Sequence, residues 1–254
     1  MSGTRSSDGA SDAKLTDANS DRFHTGRPGD LRAPPPWHRL AYIARSLPAA
    51  LARIVGELDL SDDIRVLDFG CAEMPYRHLF PPGVDFVGAD LPGNPWATET
   101  ISAGRIAGIE DSSVDMVLST QVLEHVRDPR IYLAECRRVL RPGGILVLST
   151  HGLMVYHADP IDFWRWTSAG LREELQQVGF SIDHFEGIMG LAATGLQMVL
   201  DAIYYRLPVG LRAPAAFVAQ TLIALFDRIE KPESRDIDAM VFAVVARSPQ
   251  TSVP

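Results

Sequence analysis

The sequence predicts an α/β fold, a doubly wound and mainly parallel sheet with helices on both faces. Three observations carry this. From Ile64 onward, short apolar runs alternate with longer helical segments, the pattern of strands joined by helical crossovers. Val66 and Leu67 end on Asp68 and break at once into a turn at Gly70-Cys71-Ala72. A second run, Phe86 to Ala89, ends on Asp90. Two strands that each end on a carboxylate, about 20 residues apart, describe the ligand edge of a nucleotide-binding sheet.

The chain has 254 residues, enough for one domain with appendages and a sizeable core. Its net charge of -8 and the lack of any basic run argue against nucleic acid as a partner. The two cysteines, Cys71 and Cys136, lack metal-ligand spacing. They read as buried free thiols of a reducing, cytoplasmic protein. The N-terminus has no apolar signal core. No unbroken run of uncharged apolar residues is long enough for a spanning helix.

Residues 1–36 are rich in Ser, Asp, Gly and Arg and end in three prolines. They are expected to be a disordered tail, with one domain over 37–254. Helical spacing runs from Trp37 to Leu58, and Pro48 is expected to split it. Strands are expected at Arg65–Asp68, Asp85–Asp90, weakly near Ile106, and at Val114–Ser119, Ile145–Ser149, Phe180–Glu186 and Ala239–Ala246. A loop and helix are expected over Cys71–Leu79, and helices at Val122–Leu140 and Ser168–Val178, with Thr167 or Ser168 as cap and Gly179 as stop. Two apolar helices fill an insertion at 190–232 between the last two strands. They suit a cap or homodimer surface, or an in-plane membrane contact through 191–229.

Four segments together resemble the class I S-adenosylmethionine-dependent methyltransferases. They are Val66-Leu67-Asp68-Phe69-Gly70-Cys71-Ala72, Asp90 after the next strand, Asp111 to Ser119 running into Val122-Leu123-Glu124-His125-Val126, and Leu140-Arg141-Pro142-Gly143-Gly144-Ile145-Leu146. The resemblance implies a Rossmann-like seven-stranded sheet with an antiparallel last strand beside Phe180–Glu186, and S-adenosyl-L-methionine as methyl donor. It places the donor on Asp68, Gly70, Cys71, Ala72, Asp90, Leu91, Ile106, Ala107 and Gln121. Asp68 would lie near the methionine amino group, and Asp90 would accept from the ribose hydroxyls. Ala72 replaces a loop glycine and is tolerable if its φ stays negative. The usual adenine-binding acid is absent from Ser102–Ala107, which leaves backbone and apolar packing at Ile106 and Ala107.

The segment Thr150 to Trp166 supplies substrate candidates: Tyr156, Asp159, Asp162, Trp164 and Arg165. It resembles segments of bacterial methyltransferases tied to glycan pathways, so the acceptor is expected to be a small molecule or glycan. O-methylation needs a general base, for which His151, His157 and His125 are the candidates in that order. Glu124 is expected to favour the first turn of a helix electrostatically. A non-catalytic methyltransferase-like binding subunit is the alternative. A nicotinamide enzyme is disfavoured because the loop lacks a three-glycine phosphate cradle.

Overall fold

The computed structural model describes residues 34–58, 60–157 and 161–250. The tail assigned to 1–36 falls outside them except for Pro34 to Pro36, and Asp159 falls outside as well.

Eight strands form one sheet. They are β1 (Arg65–Phe69), β2 (Asp85–Asp90), β3 (Glu99–Ser102), β4 (Arg105–Ile106), β5 (Val114–Thr120), β6 (Leu140–His151), β7 (Ser181–Gly190) and β8 (Ala239–Arg247), in the order β4-β3-β2-β1-β5-β6-β8-β7. The run β3-β2-β1-β5-β6 is parallel. β8 lies antiparallel between β6 and β7. The strand beyond the expected seven is β3, and the weak strand expected near Ile106 is β4. Ala103 and Gly104 both take positive φ (49° and 75°), so a two-residue turn folds Arg105 and Ile106 back on Ser102 and Ile101. The sequence gives little sign of β3 because Glu-Thr-Ile-Ser is short and half exposed.

Alternation along the strands builds two cores. Leu67, Phe69, Val117, Leu146 and Leu148 face α2 (Pro129–Val139) and α3 (Ser168–Gln177). Val66, Met116, Leu118 and Val147 face α1 (Ile43–Glu57) on the other side. Pro48 does not split α1. It removes one backbone hydrogen bond, but the buried stripe of Leu47, Leu51, Ile54 and Val55 holds the helix together. The single helix expected over Val122–Leu140 is instead a 3₁₀ turn, Leu123–His125, followed by α2. Asp128 caps α2 by accepting from Arg130 N and Ile131 N, and Pro129 occupies its first turn.

Between β7 and β8 lie α4 (Leu191–Tyr204), α5 (Val209–Ile229) and the short α6 (Pro232–Arg235). Contrary to the sequence expectation, α5 is long and apolar enough to cross a membrane.

Candidate active site

The strand order reverses between β1 and β5, and ligands of such sheets sit outside the carboxyl ends at that point. β1 ends on Asp68, Phe69 and the bend at Gly70. The Gly70 φ is +86°, and a Cβ there would come within 2.5 Å of Val122 Cγ2. Glycine is therefore required both for the backbone conformation and for space. Gly70 N and Cys71 N donate to Ala89 O at 2.8 and 3.1 Å, and Ala72 N donates to Asp90 Oδ2 at 2.8 Å. The bend is thus tied to β2 by three amides.

Ala72 does not keep a negative φ: its value is +44°. The bond to Asp90 holds this conformation against a cost of order 1 kcal/mol. Cys71 is the buried free thiol expected, but its side chain is not placed to meet the cofactor. Its side chain is buried under the loop against Gly88, so it offers no face to a ligand. Burial, with Asp68 and Asp90 nearby, pushes its thiol up to about 12.

Asp68 is 1% exposed, and its Oδ2 has no hydrogen-bond partner among the described residues. Burial first, and then the Asp90 carboxylate, raise its pKa to about 7. A buried acceptor left without a donor is costly, and here it lies at the ligand edge.

Asp90 accepts from Leu91 N at 2.7 Å and from Asn94 Nδ2 at 2.6 Å. Asn94 also donates to Ala72 O at 2.8 Å. Sequence reading passed over Asn94, since one side-chain amide in a Pro-Gly turn carries no pattern of its own. Leu91 and Trp96 are exposed in this turn. Ile106 does not offer its side chain to a ligand. It is wholly enclosed in the core, and its N–H donates to Glu135 Oε1 at 2.8 Å. Ala107 beside it is exposed. Gln121, with φ +56°, closes the loop after β5 through its N–H to Ser149 O (2.8 Å) and Nε2 to Ser149 Oγ (3.1 Å).

The ends of β5 and β6 bring three histidines together. Ring centroids are 5.5 Å apart for His125–His157, 5.8 Å for His151–His157 and 6.5 Å for His125–His151. Glu124 lies in the first turn of the 3₁₀ segment. It is fully buried, accepts from Thr150 Oγ1 at 2.8 Å, and has Oε1 3.3 Å from His151 Nδ1 without an aligned hydrogen bond. Burial raises Glu124 to about 8. Burial, then Arg165, His157 and His125, hold His151 well below the usual range. At neutral pH both groups are mainly uncharged, as their burial demands. His125 Nδ1 lies 2.8 Å from Ile161 O. A carbonyl can only accept, so Nδ1 carries the proton and Nε2 is left as a base.

Arg165 and Asp162 are not available to an acceptor as expected. The five guanidinium N–H groups go to Met154 O (2.7 Å), Val155 O (2.6 Å), Trp164 O (2.7 Å) and both oxygens of Asp162. That exhausts the donor set. Asp162 additionally accepts from His157 N at 2.8 Å. The pair folds the segment and positions His157. Trp164 is exposed, with Nε1 bonded to Val126 O at 2.7 Å, and Tyr156 is half-buried.

Residues 67–148 match the family described as a methyltransferase domain. A ubiquinone biosynthesis O-methyltransferase of Cereibacter sphaeroides is 34% identical over 134 residues, covering 44% of this chain and 51% of that protein. The chain thus spans about half the length of the curated relatives it matches. Among solved structures, the cyclase SpnF superposes with TM-score 0.53 at 17% identity, over 84% of this chain and 86% of that one. Phosphoethanolamine N-methyltransferase 2 of Haemonchus contortus, in complex with S-adenosyl-L-methionine, gives 0.51 at 15% identity, over 89% and 61%. At such identities the structures speak for the fold alone. The matched segment contains Asp68, Gly70, Asp90, Gln121, Glu124 and His125. By motif and by fold together, residues 67–148 match a methyltransferase domain, and the sheet around them has the Rossmann-like fold of solved methyltransferases.

Proposed function

We propose that this protein transfers a methyl group from S-adenosyl-L-methionine to a hydroxyl of a small-molecule or glycan acceptor. The observation that carries the reading is the unpartnered, buried Asp68 oxygen beside the Gly70 bend. A carboxylate awaiting donors suits the methionine ammonium, and the Asp90 carboxylate, half-buried at the next strand end, has lone pairs beyond its protein partners for ribose hydroxyls. The bend's three amides are already used against Ala89 and Asp90. That leaves no phosphate cradle there and disfavours a dinucleotide.

When bound, the cofactor supplies an electrophilic methyl on a sulfonium that is a good leaving group. The chain's part is to align the acceptor and take its proton. His151 is too buried and too weakly basic for that task at neutral pH. His125, with Nδ1 fixed by Ile161 O, presents Nε2 as the base, and His157 stands beside it. His151 and Glu124 form the neutral floor of the cluster. Relatives named as ubiquinone biosynthesis O-methyltransferases favour a small-molecule hydroxyl. The glycan reading rests on the likeness of the 156–167 segment.

The non-catalytic alternative draws on the left-handed Ala72 in the cofactor loop. Calorimetry with S-adenosyl-L-methionine, followed by a screen of phenolic, polyprenyl-linked and glycan acceptors with labelled donor, separates the two. Cofactor binding without turnover on any acceptor would favour the binding subunit. Failure to bind the cofactor overturns both.

Two substitutions probe the assignments. Asp90→Ala should weaken S-adenosyl-L-methionine binding by roughly 1–3 kcal/mol, since ribose hydroxyls and three protein N–H groups lose their acceptor; calorimetry showing unchanged affinity would contradict the role. His125→Gln should slow turnover by about 100-fold or more with the cofactor dissociation constant nearly unchanged. Full rate in that variant would move the base to His157.

A further inference from the structure

The pair α4 and α5 is amphipathic in reverse. Polar side chains of both helices, Gln197, Asp201, Gln220 and Asp227, point into the domain. Asp201 Oδ1 lies 2.6 Å from Arg39 Nη1, with both side chains under a tenth exposed. Gln220 accepts from Tyr42 N at 2.7 Å and donates to Arg39 O and Gln197 Oε1 at 2.7 and 2.9 Å. Asp227 accepts from Tyr42 Oη at 2.5 Å and from Gly190 N at 2.8 Å. Ala216, Gln220, Ile223 and Asp227 form the one buried stripe of α5.

The apolar side chains point outward. Val199, Ile203, Val209, Phe217, Leu225 and Ile229 are each between 43% and 77% exposed. Only 17% of the most apolar stretch of α5 is buried. A groove of about 520 Å³ runs between the two helices, walled by Leu196, Leu200, Leu207, Pro214, Val218 and Leu222 among others. A helix in water turns its apolar stripe inward, and contiguous exposed patches of this kind mark contact with an apolar medium or partner.

We infer that this face docks on an anionic phospholipid bilayer, with α4 and α5 lying in the plane of the interface. Three features select the bilayer over a second copy. Residues 202–226 hold two arginines, Arg206 and Arg212, and no acid, in a chain of net charge -8. Both arginines sit at the tip between the helices with Tyr204 and Tyr205, the residue types that favour the headgroup layer. The groove between two apolar helices has the shape and chemistry to take a lipid tail. The buried polar stripe also binds α5 to the domain, so it lies on the bilayer and does not span it.

The position gives this a use, which rests on the methyl-transfer reading above. His151 and Ile188 flank the same residue of β8, Val241. α4 therefore starts from the sheet edge that carries the histidines, and an acceptor held in the bilayer by an apolar tail would reach that edge from the membrane side.

The test is sedimentation of the full chain with vesicles of phosphatidylcholine alone and of phosphatidylcholine mixed with phosphatidylglycerol. The chain is expected to pellet with the mixed vesicles. Phe217→Glu/Leu225→Glu should reduce the bound fraction by about tenfold or more. Arg206→Gln/Arg212→Gln, which leaves the apolar face intact, should remove the preference for anionic vesicles by a factor of about five per arginine. Both variants should keep the melting temperature and the S-adenosyl-L-methionine affinity of the parent, so a failed cofactor assignment and a failed docking assignment give different results. A chain that stays in the supernatant overturns the inference. So does one whose glutamate variant binds as well as the parent, or whose apolar face proves by sedimentation equilibrium to be closed in a dimer that the glutamate variant dissociates.

Discussion

Arg165→Leu is expected to destabilise the protein by roughly 3–5 kcal/mol, the loss typical of removing one partner from a buried ion pair. Asp162 has a side chain that is 1% exposed and is paired with Arg165. Without the guanidinium it keeps only the His157 N–H among the partners found here. The carbonyls of Met154, Val155 and Trp164 lose their donors as well. The loss should appear as a lower denaturant midpoint, with an unchanged slope if unfolding stays two-state. Because the clamp positions His157 and its neighbours, turnover should fall by more than cofactor affinity does. The pair Asp162→Leu/Arg165→Leu should cost less than the single change, since no unpaired charge stays behind. A single-variant loss under about 1 kcal/mol would mean that the clamp is ornamental.

Asp68→Asn is expected to act in opposite directions on stability and on binding. The folded-state pKa of Asp68 is raised to about 7, from an ordinary value near 3.8. Between those values the folded chain holds a proton that the unfolded chain has lost, so stability falls as pH rises from about 4 to about 7. Glu124, raised to about 8 by burial, adds the same sign over a slightly higher range. His151, depressed by burial, has the opposite sign and costs stability as pH drops below its ordinary value near 6.5. An amide at position 68 removes the acid's share. The variant should be more stable than the parent by about 2–4 kcal/mol at pH 8 and nearly equal to it at pH 4. Its affinity for S-adenosyl-L-methionine should fall about tenfold or more, as a charge-assisted bond to an ammonium is lost. Thermal melts at the two pH values and calorimetry at pH 8 check both halves. A variant that loses stability at pH 8, or binds the cofactor as well as the parent, removes Asp68 from the site. Destabilised functional groups of this kind are the usual trade of stability for activity.

The elements that could be read from the chain were those whose burial sets a local period. Arg65–Phe69, Val114–Thr120 and Ala239–Arg247 are short apolar runs buried on both faces, and Asp85–Asp90 is a short run only partly buried; their order and connections follow from chain direction and crossover rules. Missed elements had weak local signals. Glu99–Ser102 is a short, polar, half-exposed strand next to the sheet edge, and the 3₁₀ turn before Pro129 interrupts what looks like one apolar helix.

The site divides in the same way. The placement of Asp68, Gly70 and Asp90 at the ends of β1 and β2 was legible because position at a strand end fixes where a residue can go. The Thr150–Trp166 segment was legible only as a concentration of polar and aromatic residues. Arg165 was expected to meet the acceptor and is a clamp, and Glu124, expected to favour a helix first turn, is buried there against His151. The roles of such residues depend on partners in other elements, and no spacing in the sequence records those.

The amino-acid order therefore determined the strand sequence, the ligand edge and the acids at its tips, because hydrophobic period and turn chemistry act between near neighbours. Only the tertiary structure decided which polar groups are spent on the protein itself and which stay open. It also decided that the last helical pair turns its apolar side out. Both outcomes depend on contacts between residues far apart in the chain, such as Asp201 with Arg39 and Asp227 with Tyr42. Burial and hydrogen bonding are settled only when those segments meet.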